Sequence, residues 1–180
     1  MVARAARLWQ NEDMNPDQFY QRIVKPTLQL MAEMPEINVA VSDKASVLVM
    51  TIAGQEGNWQ HRRQIGGPAR SFWQFEKFGG VAELLQKTPK QLSAICAYLD
   101  IPYDMTTVFE AMAWNDTLSC AMGRLLVWQD PKSLPEIGDK DGSWAYYLRN
   151  WRPGAPHPAA WPALYDKAVA AVIPKPKETP

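Results

Sequence analysis

One stretch of the chain, from Asp43 to Gly57, is apolar on nearly every side of the helix that its residues favour. Ser42 stands directly before it and is suited to be its N-cap, because a serine side chain accepts a hydrogen bond from the first turn. A helix that is apolar all round has no face for water and must lie inside the fold. The sequence therefore predicts a buried central helix that other elements surround.

Helical signals recur along most of the remaining chain. Asn15 and Pro16 predict the start of a helix that continues to Glu33 and is kinked or split at Pro26. The other predicted helices cover residues 81–86, 89–101, 107–129, 139–150 and 159–173. The segment 107–129 is predicted to form one helix or two, since Asn115 could act as a break and cap.

The helical period stops between residues 57 and 76, where the sequence predicts a small irregular β-hairpin. Gly66-Gly67-Pro68 is a strong turn signal between two short polar-aromatic runs. Alternation in the second run would place its side chains on two faces, Phe72, Gln74 and Glu76 on one and Ser71, Trp73 and Phe75 on the other. The predicted fold class is therefore mainly α with a small β-hairpin, an α+β arrangement.

The length of 180 residues favours a single domain, which we predict over residues 1–173. Residues 1–14 would form an N-terminal extension, and residues 174–180 a Pro-rich flexible tail. The extension carries no apolar core of a secretory signal peptide, so no such signal is predicted. No run approaches the ~18 apolar residues of a membrane span, so no membrane contact is expected.

Composition argues against several other classes of protein. With 19 basic and 19 acidic side chains, the formal net charge is zero, whereas nucleic-acid binders normally carry a basic excess on one face. Cys96 and Cys120 lie in apolar helical stretches and are expected to be reduced core thiols. Two histidines without paired ligand spacing make no zinc motif, so neither a metal nor a cofactor is expected.

Glu56 is the candidate catalytic residue. It falls on one stripe of the central helix with Ala45, Val49 and Ile52. Loss of water on this apolar side disfavours the charged carboxylate and raises its pKa, and the negative end of the helix acts in the same direction. A raised carboxyl pKa suits a general acid at neutral pH. The alternative is a helix-end glutamate that points into solvent, as most glutamates do.

The segment after Glu56 is rich in groups that bind carbohydrates. Flat aromatic rings suit the C–H faces of sugars, and amide and guanidinium groups suit hydroxyl, N-acetyl and carboxylate groups. The candidate substrate-binding residues are Trp59, His61, Arg62, Arg70, Trp73 and Gln74. The alternatives are that Trp73 belongs to the core and that the arginines are solvated. Asn115 is a further candidate, either as a helix cap, which we favour, or as a polar group facing a cleft.

Two segments resemble the lysozyme superfamily. They are residues 53–59, with the sequence AGQEGNW, and residues 67–75, with the sequence GPARSFWQF. The resemblance is closest to the lytic-transglycosylase and goose-type branch, and to phage proteins that carry such domains. Residues 142–154 also look like C-terminal segments of phage lysozyme-like proteins. The resemblance implies a lysozyme-like fold.

In those families a helix ends in Glu-Ser, and a glycine-containing turn that ends in glutamine follows. Glu56 matches the catalytic acid of this pattern, and Gln74 matches its substrate-contacting glutamine. The sequence departs from the pattern at Gly57, which stands in place of the serine, and at residues 71–73, which replace the first residues of the turn.

The implied activity is that of a peptidoglycan-cleaving glycosidase, an endolysin or virion-associated lysin, that cuts between MurNAc and GlcNAc. Glu56 would be its general acid and base. A transglycosylase needs this carboxyl group alone, whereas an inverting hydrolase uses a second carboxylate ~6.5–9.5 Å away. Glu76 is the candidate for it, in a placement that resembles family 19 chitinases; the alternative is a surface glutamate.

The implied partners are the glycan strands of bacterial peptidoglycan, to which other phage virion proteins could be added, and a monomer is expected. Without a signal peptide, the protein would be made in the cytoplasm of a bacterial host and act on the wall after release or within a virion.

One alternative is a catalytically inactive lysozyme-like module of a phage virion or tail, which the departures at residues 57 and 71–73 favour. Another is a carbohydrate-binding or adaptor protein.

Overall fold

The computed structural model describes residues 14–174, so the predicted N-terminal extension and Pro-rich tail lie outside it except for Met14 and Pro174. Within these residues the chain is mainly helical, and the predicted mainly-α class is confirmed. The helices are α1 (Pro16–Phe19), α2 (Lys25–Glu33), α3 (Asp43–Gly57), α4 (Ala82–Lys87), α5 (Pro89–Tyr98), α6 (Met105–Ala111), α7 (Asp116–Trp128), α8 (Lys140–Trp151) and α9 (Trp161–Val172). None of these helices is long and apolar enough to cross a membrane.

Two π-helical turns interrupt the α-helical pattern. The first, Tyr20–Val24, joins α1 to α2, and the second, Lys77–Val81, leads into α4. The break predicted near Pro26 therefore lies just before this residue, which occupies the first turn of α2. Because a proline removes one intrahelical hydrogen bond and its ring clashes with the preceding turn, the α-helical pattern gives way to the wider π-helical turn directly before it.

Helix α3 is the buried central helix that the sequence predicts. The Ser42 side chain accepts a hydrogen bond from the Ala45 N–H at 3.2 Å and so caps the first turn. Every residue from Ala45 to Gly54 is buried. Helix α9 packs along α3 most extensively, and α7 packs on it as well. The hydrophobic core therefore surrounds α3, and the C-terminal end of this helix, which bears Glu56, lies where the core meets the irregular segment 58–80.

The segment 107–129 divides into α6 and α7, as one of the two predictions has it. The Asn115 side chain accepts a hydrogen bond from the Leu118 N–H at 2.9 Å and caps α7.

Cys96 and Cys120 are free and buried, as expected of core thiols. Burial raises the pKa of Cys96 to about 11 and that of Cys120 further still, so both remain protonated at neutral pH.

The predicted β-hairpin is reduced to two isolated antiparallel bridges, between Arg63 and Arg70 and between Arg70 and Phe75, and residues 14–174 contain no strand. The predicted alternation of the second strand is wrong, because residues 71–74 form a turn. Phe72 and Trp73 are both fully buried instead of facing opposite sides. Burying two large aromatic side chains outweighs the strain of the left-handed backbone on either side of them.

Two tryptophans fasten this irregular segment to α3. The Trp59 indole N–H donates to the Met50 carbonyl oxygen at 2.9 Å, and the Trp73 indole N–H donates to the Val49 carbonyl oxygen at 3.0 Å. Phe19 of α1 meets the Phe72 ring edge to face, with a centroid distance of 4.8 Å. The segment is therefore held against the core although it has no regular secondary structure.

Candidate active-site cleft

A cleft of about 1020 Å³ lies between the end of α3, the irregular segment, α4 and the chain that follows α8. Its lining includes four of the predicted site residues, Glu56, His61, Gln74 and Glu76. The residues from α8 and beyond include Tyr147, Trp151 and His157. The cleft thus brings together groups that are up to about a hundred residues apart in the sequence.

Glu56 lies in the last turn of α3, which Asn58 ends in a left-handed conformation with φ of 49°. Burial raises the pKa of the Glu56 carboxyl, and a hydrogen bond from Tyr147 acts in the opposite direction without cancelling the effect. The raised pKa and its cause agree with the expectation from the apolar stripe of α3. The neutral form of this carboxyl group is therefore favoured relative to that of a fully solvated glutamate.

Tyr147 of α8 is the side chain that orients Glu56. Its O–H donates to Glu56 Oε1 at 2.5 Å, and its ring packs against those of Trp144 and Trp161, each at a centroid distance of 5.1 Å. Burial and the charge of Glu56 raise the pKa of Tyr147, so the phenol stays a donor. Sequence reasoning missed this residue; the spacing of Trp144, Tyr147 and Trp151 along α8 marks the aromatic face that could have indicated it.

The Gln74 side chain is tied to the backbone at the edge of the cleft. Its amide nitrogen donates to the Ser71 carbonyl oxygen at 2.7 Å and to the His61 carbonyl oxygen at 3.1 Å. Gln74 itself has φ of 49°, which turns its side chain back over the loop. The amide oxygen is left as the group that can accept a hydrogen bond from a ligand.

The cleft contains two further carboxyl groups with different surroundings. Glu76 is exposed, and no side chain of residues 14–174 bonds to it. Glu83, which sequence reasoning missed, accepts hydrogen bonds from Lys87 at 2.8 Å and Gln129 at 2.9 Å and pairs with Arg152. Burial alone would raise the pKa of Glu83, but the hydrogen bonds and charges of Lys87 and Arg152 outweigh it and lower the pKa.

Trp59 and Trp73 do not line the cleft, so their prediction as substrate-binding residues is corrected. Only 3 % of Trp59 and none of Trp73 is exposed, and the N–H of each indole is used on an α3 carbonyl group. An indole needs a ring face open to the cleft to stack on a sugar. Both tryptophans instead belong to the core, which for Trp73 was the stated alternative.

Three polar side chains that were predicted to bind substrate make contacts outside the cleft instead, so this predicted role is corrected. Arg62 makes two hydrogen bonds of 2.7 Å to Asp116, in the first turn of α7. The Arg70 guanidinium lies over the Phe109 ring at 5.0 Å from its centroid. Asn115 caps α7, as favoured. None of the three lines the cleft, because each is committed to a contact with α6 or α7.

Comparisons of the chain with protein-family models, with curated proteins and with solved structures found no match. Among residues 14–174, no three histidine, cysteine, aspartate or glutamate side chains are grouped so that they could hold a metal ion. Within the cleft, Glu56 is the carboxyl group whose pKa burial raises.

Gly57 explains one departure from the lysozyme pattern. A Cβ atom on Gly57 would lie 2.7 Å from the Phe72 carbonyl oxygen and 3.1 Å from the Phe72 Cα. These are backbone atoms, which cannot move aside as the end of a flexible side chain can. The turn that buries Phe72 and Trp73 thus approaches the end of α3 so closely that a serine does not fit.

We expect Gly57→Ser to lower the free energy of unfolding by about 1–3 kcal/mol, because the turn must move away from α3. Urea unfolding monitored by tryptophan fluorescence measures the difference. Gly154→Ser is the matched control, since a Cβ atom at Gly154 meets no atom within 4 Å. Equal losses in the two variants would contradict the close approach of the turn.

The raised pKa of Glu56 also predicts a pH dependence of stability. Between the ordinary carboxyl pKa and the raised value, the folded protein binds more protons than the unfolded chain, so the free energy of unfolding falls as pH rises. Glu56→Gln lacks this loss and keeps an oxygen that accepts from Tyr147. The wild type should therefore lose stability relative to Glu56→Gln as the pH rises from the ordinary carboxyl pKa towards the raised one. Urea unfolding at several pH values measures the difference in free energy of unfolding between the wild type and Glu56→Gln. A difference that does not change with pH would contradict the raised pKa of Glu56.

Proposed function

We propose that this protein has a lysozyme-like fold and is a glycosidase that cleaves bacterial peptidoglycan between MurNAc and GlcNAc. The single observation that carries the proposal is a carboxyl group with raised pKa, Glu56, facing a cleft of about 1020 Å³. Glycosidic bonds break when a carboxylic acid protonates the leaving oxygen, and this acid needs a pKa near the working pH. A cleft of this volume accommodates more than one sugar ring.

Tyr147 decides which oxygen of Glu56 serves as the acid. Because the Tyr147 O–H donates to Oε1, the acidic proton is left on Oε2. Glu56 Oε2 then gives its proton to the glycosidic oxygen as the bond from that oxygen to the anomeric carbon breaks. The hydrogen bond from Tyr147 stabilises the carboxylate that this step produces.

We further propose that Glu56 acts alone, by the transglycosylase route. The resulting carboxylate takes the proton of the muramyl 6-hydroxyl, whose oxygen bonds to the anomeric carbon and closes an anhydro ring. The support is the state of the other carboxyl groups of the cleft. Glu76 has no partner among residues 14–174 that would orient it as a base towards water, and Glu83 is held in ion pairs.

The biological setting rests on the resemblance to phage lysins. The protein would be made in a bacterial host and act on the glycan strands of its wall, either after release or as part of a virion. An inactive virion module is the second candidate function, favoured by residues 57 and 71–73, where the chain departs from the lysozyme-superfamily pattern that it resembles.

We expect Glu56→Gln to reduce the cleavage of purified sacculi by at least about a hundredfold, because the substitution removes the acid and leaves the shape of the cleft. Glu76→Gln is the matched control, with the same substitution in the same cleft, and should keep activity within about fivefold. Release of soluble muropeptides measures both rates. Circular dichroism and thermal unfolding verify that both variants are folded.

Mass spectrometry of the products tests the route. Anhydromuramyl ends are expected, whereas reducing muramic acid together with an inactive Glu76→Gln variant would favour hydrolysis with Glu76 as the base. Full cleavage by Glu56→Gln would refute the proposed role of Glu56. A folded wild-type protein that releases no muropeptides would favour the inactive virion module.

Tyr147→Phe should lower kcat about tenfold and move the alkaline limb of its pH profile to higher pH. The reason is that the Tyr147 hydrogen bond lowers the pKa of Glu56, so its loss lets this pKa rise further. Tyr146→Phe is the control, since Tyr146 is equally buried on α8 but donates to the Val127 carbonyl oxygen. Identical pH profiles for the two variants would show that Tyr147 does not set the protonation of Glu56.

A further inference from the structure

Two large apolar side chains stand exposed at the rim of the cleft. Phe78 is 81 % exposed and Ile65 is 83 % exposed, and both belong to the cleft lining. Neither covers the other to any extent, because each keeps more than four-fifths of its surface in solvent. Single exposed apolar residues are common on proteins, but two at the mouth of one cleft suggest a surface that a ligand covers.

The backbone around Phe78 holds this side chain outward. Phe78 lies in the π-helical turn Lys77–Val81, in which Gly79 has non-helical dihedral angles. A Cβ atom on Gly80 would lie 2.5 Å from Cδ1 of Phe75, so the turn rests directly on a buried ring. The Lys77 ammonium group, which donates to Thr106 at 2.9 Å, lies 5.7 Å from the Phe78 ring centroid. Lys77 thus contacts the ring face while the ring stays exposed.

Ile65 is presented by a short closed loop. The Gln64 backbone N–H donates to the Ala69 carbonyl oxygen at 3.0 Å, and the Ala69 N–H donates back to the Gln64 side chain at 3.2 Å. Gly66 follows Ile65 with φ of 72°, a conformation that glycine adopts without strain. The loop therefore places an aliphatic side chain in solvent at a defined position.

We infer that Phe78 and Ile65 form a sugar-binding platform at the rim of the cleft, which binds pyranose rings of the glycan strand away from the bond that Glu56 cleaves. The inference rests on the proposed function. Pyranose rings have apolar C–H faces and hydroxyl edges, so they pack on exposed aromatic rings and aliphatic side chains along their path. Continuity with the cleft places the platform on the path of a strand that passes Glu56.

The surroundings favour a sugar polymer over other occupants. Two side chains offer far less apolar area than a stable protein interface of roughly 1,000 Å² requires. Arg63 and Glu76, of opposite charge, are exposed in the same lining. A membrane-binding surface would combine a broad apolar face with basic residues, whereas mixed polar groups suit a strand that is rich in hydroxyl groups.

The test measures the binding of glycan strands in a Glu56→Gln background, where the proposed function predicts that turnover is at least about a hundredfold slower than in the wild type. The probe is peptide-free glycan strands prepared from sacculi, and the affinity is measured by titration calorimetry. Phe78→Ala and Ile65→Ala should each weaken binding about tenfold, which corresponds to about 1.4 kcal/mol. Tyr98→Ala is the control, since Tyr98 is 62 % exposed on α5 and lies outside the cleft lining; it should leave the affinity unchanged.

In the otherwise wild-type protein, Phe78→Ala should raise KM for glycan strands about tenfold and leave kcat unchanged, as expected for uniform binding of substrate and transition state. Unchanged strand affinity in Phe78→Ala and Ile65→Ala, or an equal loss in Tyr98→Ala, overturns the platform. Binding to anionic phosphatidylglycerol vesicles that depends on Phe78, without an effect on strands, also overturns it and indicates a lipid surface.

The outcomes separate the platform from the proposed function. If the wild type cleaves sacculi and the strand affinity ignores Phe78 and Ile65, only the platform fails. If the wild type does not cleave sacculi, or if Glu56→Gln cleaves them, the proposed function fails. A strand affinity that depends on Phe78 and Ile65 would in that case still support a glycan-binding surface at this rim.

Discussion

The burial of α3 is the constraint on which the rest of the structure depends. A helix that is apolar on all sides must be covered on all sides, and α7, α9 and the irregular segment share this task. The segment has no regular ladder of its own, so Trp59 and Trp73 attach it by donating to α3 carbonyl groups. The same burial withdraws water from Glu56 at the end of α3. The packing that stabilises the fold therefore also raises the pKa of the candidate acid.

Removing a carboxyl group from water is costly unless it is neutral or hydrogen-bonded, and both effects act at the half-buried Glu56. Its raised pKa favours the neutral form, and Tyr147 satisfies one of its oxygens. The Tyr147 ring packs against Trp144 of α8 and Trp161 of α9, which also contact each other. Because α9 also packs along α3, the position of the acid relative to its partner depends on how three helices pack together, rather than on any local motif.

Patterns of neighbouring residues in the sequence correctly predicted those features that depend only on neighbouring residues. The all-apolar period of α3, the caps at Ser42 and Asn115, and the raised pKa of Glu56 each follow from neighbouring residues. The roles of Trp59 and Trp73 could not be predicted in this way, because only the fold decides whether an indole N–H meets an α3 carbonyl group or a cleft. The predicted second strand failed for the same reason: alternation assumes one buried face, whereas two consecutive aromatic residues entered the core. Tyr147 lies 91 residues from Glu56, beyond the reach of any spacing rule.

The cleft also shows why burial alone does not make an acid. Glu56 and Glu83 are both partly removed from water by the fold. For each of them, burial is the largest single influence on the pKa, and it raises the pKa. Lys87 and Arg152 reverse this effect at Glu83, whereas no cation among the described residues pairs with Glu56. The pKa values of two carboxyl groups in one cleft are thus shifted in opposite directions, because the cations lie next to only one of them. Among the described residues, Glu83 pairs with Lys87 and Arg152, whereas Glu56 accepts a hydrogen bond from the neutral Tyr147 hydroxyl, so Glu56 is the one of the two whose pKa is raised.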